Sequence, residues 1–269
     1  MLFGRLTGGS YSDLDTFDTA RKRVVVPMIF DWRQYYVDMT ISGLDQLKNG
    51  GAAKIISHTD ILMDAAAMSG PDYVGDDLYL DGTGNQNKAI TGLRAAYDSG
   101  ATYTTYGGIT RTSGAAAGTE SAAASGNVDT TGGAFSLSLI NTNFGTAVVG
   151  KEKPDLITTT QTIWNLFWDR VQPSQRFQAG DSRNQMASVG FATIVFNGAD
   201  VTVDPKVPSG QMFMHNTKWI KMIVHTQRMW SFTDWKYPTN NDSMIGQLLW
   251  AGEIVVQSPR LQQFTSNIT

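Results

Sequence analysis

The chain has no cysteine. That excludes a disulfide framework, a zinc–thiolate site and a cysteine nucleophile. Charge is also scarce. Asp, Glu, Lys and Arg make up 17% of the 269 residues, against about 25% in an average soluble domain. The net charge of −3 does not suit a general polyanion binder. No run of about 18 apolar residues is present, so no membrane-spanning helix is expected. Met1 to Ser10 has no apolar stretch of the kind a secretory signal needs. What remains is 41% apolar residues, enough for one large domain or two interleaved ones. One reading is an ordinary Gly- and Thr-rich globular protein. The other is a subunit that covers much of its surface with copies of itself, because interface centres are depleted of charge.

Residues 1–20 are polar and aspartate-rich, and an extended loop is expected there. Arg21-Lys22-Arg23 then leads into Val24-Val25-Val26. From Tyr35 to Ile41 apolar and polar residues alternate, which predicts a half-buried strand. Residues 1–41 read as a long β-excursion without a core of its own. Ser42 to Asp45 can start a short helical turn. Ile55, Ile56, Leu62, Met63 and Ala66 share one helical face, so 52–68 is predicted as a helix that Ser69-Gly70-Pro71 ends. A short helix is expected within Lys88 to Tyr97. Residues 99–133 are nearly all Gly, Ala, Ser and Thr. They predict a long mobile loop, or weak strands with a loop.

Helical spacing of Leu137, Ile140, Phe144 and Val148 predicts a helix over 134–149. Leu156 to Thr159 reads as a strand. Ile163, Phe167 and Val171 predict a helix over 160–172, stopped by Pro173. Strands are expected at 191–196, 199–203, 212–214, 219–225 and 252–256. No period of 20–50 residues repeats, which argues against a solenoid or propeller.

The three histidines, His58, His215 and His225, lack metal-ligand spacing. Neither a G-x-S-x-G elbow nor a G-x-x-x-x-G-K-[ST] phosphate loop occurs. Asp81-Gly82-Thr83-Gly84-Asn85-Gln86-Asn87 faintly resembles a calcium loop. Gln86 stands where that loop needs glycine and Gly92 where it needs glutamate, so a plain turn is expected. Asp76-Asp77 reads as a solvated acidic edge rather than an acid/base pair. Arg21, Lys22 and Arg23 are too few for a nucleic-acid footprint. They match an acidic patch on a neighbouring subunit or a solvated strand end equally well. The tryptophans Trp164, Trp168, Trp219, Trp230, Trp235 and Trp250 read as core, or as interface anchors where exposed.

Five segments in order carry a family resemblance. The first is Phe30-Asp31-Trp32-Arg33-Gln34-Tyr35-Tyr36 with Ile41-Ser42-Gly43 and Lys48-Asn49-Gly50-Gly51. The second is Asp77-Leu78-Tyr79-Leu80-Asp81-Gly82-Thr83-Gly84 with Ile90-Thr91-Gly92-Leu93. Lys153-Pro154-Asp155-Leu156-Ile157-Thr158-Thr159 is the third, continued by Gln175-Arg176-Phe177. Val203-Asp204-Pro205 with Val207 to Asn216 is the fourth, and Trp250-Ala251-Gly252-Glu253 with Ser258-Pro259-Arg260 the fifth. Together they resemble the major capsid proteins of tailed bacteriophages, the Hong Kong 97 capsid fold family, over most of residues 20–262.

The resemblance implies an α+β fold. It would have an extended β-hairpin loop (the E-loop) with its return strand over 1–41 and a peripheral domain with a long spine helix over 42–87. An axial domain would span 88–215, and 216–269 would return to the peripheral sheet. Family members carry an arm or scaffolding region ahead of the E-loop. Met1 falls almost inside that loop, so such an arm is expected to be missing or to lie upstream. Lys22 is the only lysine before Lys48 and lies off the expected loop tip, so autocatalytic Lys–Asn cross-linking is not expected.

The implied role is structural. Pentamers and hexamers of the chain would tile an icosahedral shell around packaged double-stranded DNA, contacting it non-specifically. Portal, scaffolding and decoration proteins would be partners, with no membrane, cofactor, metal or catalytic residue. Encapsulins share the fold, and a hydrolase with a dispersed Ser/His/Asp site is a further alternative. Arg21, Lys22, Arg23, Val24, Val26, Tyr35, Val37 and Met39 are the expected subunit-interface residues. On this reading residues 1–41 lie across a neighbouring subunit.

Overall fold

A computed structural model describes residues 8–17, 24–48, 58–116, 118–175 and 194–269. The strands are β1 (Arg33–Ser42), β2 (Thr105–Tyr106), β3 (Ile109–Thr110), β4 (Asn127–Asp129), β5 (Leu156–Thr159) and β6 (Ile194–Phe196). They continue with β7 (Ala199–Val203), β8 (Met212–His215), β9 (Ile220–Val224), β10 (Ser231–Lys236), β11 (Ser243–Val256) and β12 (Gln263–Thr265). The helices are α1 (Gly43–Lys48), α2 (His58–Leu78), α3 (Gly84–Asn87), α4 (Leu93–Tyr97), α5 (Glu120–Ala124), α6 (Leu137–Thr146) and α7 (Gln161–Gln175). The chain divides into two compact units. One comprises Met1–Phe30, Arg94–Lys221 and Val256–Thr269; the other comprises Asp31–Leu93 and Met222–Val255.

The first unit is built on a mixed six-stranded sheet, in the order β4-β12-β8-β5-β7-β6. Its core joins Ile157, Val201, Met212 and Met214 from the strands to Ile140, Phe144, Ile163 and Phe167 from α6 and α7. Ser136 starts α6 by accepting the Leu139 amide at 3.1 Å. That cap places the helix start three residues inside the expected 134–149, and Thr146 ends it. Helix α7 runs through Pro173 to Gln175. The hydrogen bond this proline forfeits is the one to the Asp169 carbonyl, on an exposed position where water can replace it. Trp164 and Trp168 stack at 5.6 Å and lie half-buried against the core.

The described residues of 99–133 take the second of the two expected forms, short strands with loops between them, joined by the one-turn helix α5. Gly107 and Gly108, at φ +56° and +75°, close the β2–β3 hairpin. Two consecutive positive φ values are what a two-residue hairpin turn requires. Thr119 caps α5 by accepting the Ala122 amide. Arg111 then binds the segment together. Its side chain is buried and donates to the carbonyls of Ala95, Ala96, Asp98 and Tyr103 at 2.8–3.2 Å. The guanidinium also lies 5.2 Å from the Tyr106 ring centroid.

In the second unit β1 pairs with β11 antiparallel from Arg33↔Gly252 to Ser42↔Ser243. Strand β10 joins the other side of β11, and β9 also pairs with β11. Alternation along β1 turns Tyr35, Val37, Met39 and Ile41 inward and Gln34, Tyr36, Asp38 and Thr40 outward. Helix α2 packs on β1. It does not end at Ser69-Gly70-Pro71 but continues to Leu78. Pro71 is exposed, and the Ala67 carbonyl it leaves without an amide is open to water. At Gly70 a Cβ would come within 2.5 Å of the Trp230 ring, so the helix rests directly on that indole. Val74, buried one turn on, extends the apolar contact face. Residues 49–57, the start of the expected 52–68 helix, lie outside the described residues.

Candidate assembly surfaces

The sequence-predicted interface residues fall into three groups. Arg21, Lys22 and Arg23 lie outside the described residues. Val26 and Met39 are buried within their own chain: Val26 packs with Ile109, Ala123 and Ala124, and Met39 is 3% exposed. Each of these two side chains has an apolar site within its own chain. Val24, Tyr35 and Val37 are half-buried. The excursion therefore has a core of its own in part, with Val26 in the first unit and β1 as a full sheet strand in the second.

The Tyr35 hydroxyl donates to Asp77 Oδ2 at 2.6 Å and accepts the Ile90 amide at 3.0 Å. Burial, then the Asp77 carboxylate, raises its pKa well above that of a free phenol. Asp77 is thus a hydrogen-bond acceptor that fixes β1 to the end of α2. Nearby, Glu253 Oε1 accepts the Thr91 amide at 2.8 Å, and Oε2 lies 3.7 Å from Arg33 Nε. Burial pushes the Glu253 carboxyl up.

His215 is sealed in the first unit. Its Nδ1 meets the Tyr97 hydroxyl and its Nε2 lies 2.7 Å from Thr158 Oγ1. Burial lowers its pKa to about 4. A ring enclosed in this way supports the fold. His225 is half-buried and meets the Trp32 ring edge-on at 5.5 Å. The His58 side chain lies outside the described residues. Asp81 Oδ1 accepts both the amide and the hydroxyl of Thr83, at 3.0 and 2.6 Å. This is a turn held by its own aspartate. Among the described residues no group of three His, Asp or Glu is placed to hold a metal, and no helix is long and apolar enough to cross a membrane.

The surface carries a different signal. In the first unit Ser12 and Asp15 close a turn, the Ser12 amide meeting Asp15 Oδ2 at 2.8 Å. The turn presents Leu14, 96% exposed, with Tyr11 and Phe17 in edge-to-face contact beside it. In the second unit Trp32, Tyr36, Ile61, Met63, Met68 and Tyr73 are all exposed. An open groove of about 610 Å³ runs beside β1, lined by Tyr36, Asp38, Tyr73, Asp76 and Lys88 among others. Exposed apolar surface of this kind is what protein–protein contacts use where it is contiguous. Composition pointed to such contacts in general. It could not show which side chains face outward, because that depends on the β1 register and on the length of α2.

No family model matches the chain, and no curated protein matches it by sequence. Solved structures do match. A capsid protein in the cyanophage A-1(L) asymmetric unit shares 15% identity at a TM-score of 0.70, covering 99% of this chain and 86% of that one. A capsid protein of the empty GTA particle shares 12% identity at a TM-score of 0.61, covering 98% and 81%. The SrpI encapsulin of Synechococcus elongatus PCC 7942 shares 9% identity at a TM-score of 0.53, covering 88% and 74%. The chain has the phage-capsid fold that its five sequence segments resemble.

Proposed function

We propose that this chain is a major capsid protein of a tailed bacteriophage, which assembles with copies of itself into an icosahedral shell around double-stranded DNA. The observation that carries this reading is a capsid match over 99% of the chain at a TM-score of 0.70. Exposed apolar side chains on both units supply surface for self-association. The role is structural rather than enzymatic. The mild negative charge suits a container that must release its DNA, since phosphate affinity scales with the cations supplied. Pentamers and hexamers of the chain form the shell, with a portal and any scaffolding or decoration protein as partners.

The encapsulin match favours a second reading, a protein compartment loaded with protein cargo. Purified particles from the native source separate the two. A capsid sediments as a megadalton species whose DNA survives nuclease treatment. Particles of that size holding protein and no protected DNA would favour the compartment. A chain that stays monomeric across salt and pH contradicts both.

A further inference from the structure

In the second unit, residues of α2, β9 and β11 line an apolar cavity of about 270 Å³. Val74 from α2, with Trp250 and Ile254 from β11, forms its buried depth. The exposed Pro71 and Met222 form its rim, and Trp230 makes a further wall. No lining side chain is charged, and none carries a hydroxyl, carboxyl or amide. Glycine seats both indoles. A Cβ at Gly70 would come within 2.5 Å of the Trp230 ring, and one at Gly252 within 2.6 Å of the Trp250 ring. Trp230 holds φ at +52°, the only aromatic residue at positive φ among the described residues. That conformation is unfavourable for a bulky side chain, so the surrounding packing must hold it. The two rings, 6.1 Å apart between centroids at a tilt of 31°, are thus fixed against backbone. The cavity they border is preformed.

We propose that this cavity binds a small uncharged aromatic molecule. The inference goes beyond the self-assembly reading and does not depend on it. The chemistry of the lining selects the class of ligand. A charged or strongly polar molecule would exchange its water for side chains that offer at most an indole N–H. Water needs about two to four polar partners and is equally poorly served here. A dry apolar cavity of about 150 Å³ accepts benzene, so this larger space has room for a two-ring compound. The two indoles add aromatic contacts that an alkyl chain would not make. Met222, 55% exposed, stands at the entrance, where its flexible, unbranched side chain can move aside for a ligand.

The test is equilibrium dialysis of the purified full chain against radiolabelled indole, an uncharged two-ring compound. Binding should saturate at one indole per chain. Unlabelled naphthalene should displace it, and benzoate, which is charged, should not. Met222→Trp places a larger side chain across the entrance and should weaken binding about tenfold, as overfilling an apolar site does. Met222→Ala widens the entrance and should retain binding. Met229→Trp puts the same indole on a position that is 68% exposed and outside the lining, and should leave binding unchanged. Circular dichroism checks that each variant is folded. Absence of saturable binding overturns the proposal. So does an equal loss in Met222→Trp and Met229→Trp, which would mean general adhesion to apolar surface. Displacement by benzoate as readily as by naphthalene overturns the ligand class. Binding to unassembled chains that vanishes in shells would show that a second copy fills the cavity, and also overturns it.

Discussion

Tyr35 and Asp77, 42 residues apart in sequence, meet through a 2.6 Å hydrogen bond. The bond joins the start of β1 to the last turn of α2, and the Ile90 amide completes it. Tyr35→Phe removes the hydroxyl, leaving the carboxylate and the amide each short of a partner. Leaving a partly buried polar group unpaired costs about 1–3 kcal/mol. The variant should lose stability within that range in urea unfolding of the unassembled chain. An unchanged midpoint would mean that water replaces the hydroxyl without cost.

Arg111→Met tests the fastening of the 94–112 segment. The substitution keeps much of the side-chain volume but removes donors to four buried or half-buried carbonyls. A loss of about 3 kcal/mol or more is expected. Arg111→Lys should recover only part of it, because one ammonium cannot reach all four oxygens. Hydrogen exchange should quicken first in β2 and β3.

The pH dependence follows from His215 and Glu253, with opposite signs. The folded chain holds the His215 proton more weakly than the unfolded chain does, since burial takes its pKa to about 4. Its contribution is whole above the unfolded value near 6.5 and is lost as pH falls toward about 4. The loss is roughly 3 kcal/mol at most. His215→Gln should flatten the stability curve across that window. Glu253 is raised by burial, so its contribution is present at low pH and is lost as pH rises through its folded value. Glu253→Gln should therefore remove a decline that begins as pH rises above the ordinary carboxylate value near 4.5. A slope of unchanged size between about pH 6.5 and 4 after His215→Gln would contradict this assignment.

Gly70→Ala adds a methyl group where the Trp230 ring already lies 2.5 Å from the Cβ position. Overpacking of this kind costs about 1–3 kcal/mol. Trp230 fluorescence should shift as the indole moves, while Gly145→Ala, with open space at its Cβ position, should leave it unchanged.

Much of this architecture was legible in the sequence. Alternation from Tyr35 to Ile41 marks β1, and the spacing of Ile163 and Phe167 marks α7, because burial on one face imposes those periods. The fold class came from five motifs in order, and the fold matches agree with it. The errors have physical causes. Pro71 reads as a stop, yet an exposed proline is tolerated where water meets the freed carbonyl and Gly70 seats the helix on Trp230. Segment 99–133 reads as loop or weak strands, without exact bounds, because Gly, Ala, Ser and Thr show no period. Its order comes from Arg111, whose four carbonyl partners cannot be found from composition. That Val26 and Met39 are buried within their own chain is a tertiary fact that spacing does not show.

The central claim is the proposal that copies of this chain tile a closed shell. Electron microscopy of the purified, full-length protein tests it most directly. The account predicts hollow particles of uniform diameter, with five- and six-fold clusters of one subunit in class averages. Monomers or irregular aggregates as the sole product, across salt, pH and protein concentration, would contradict it.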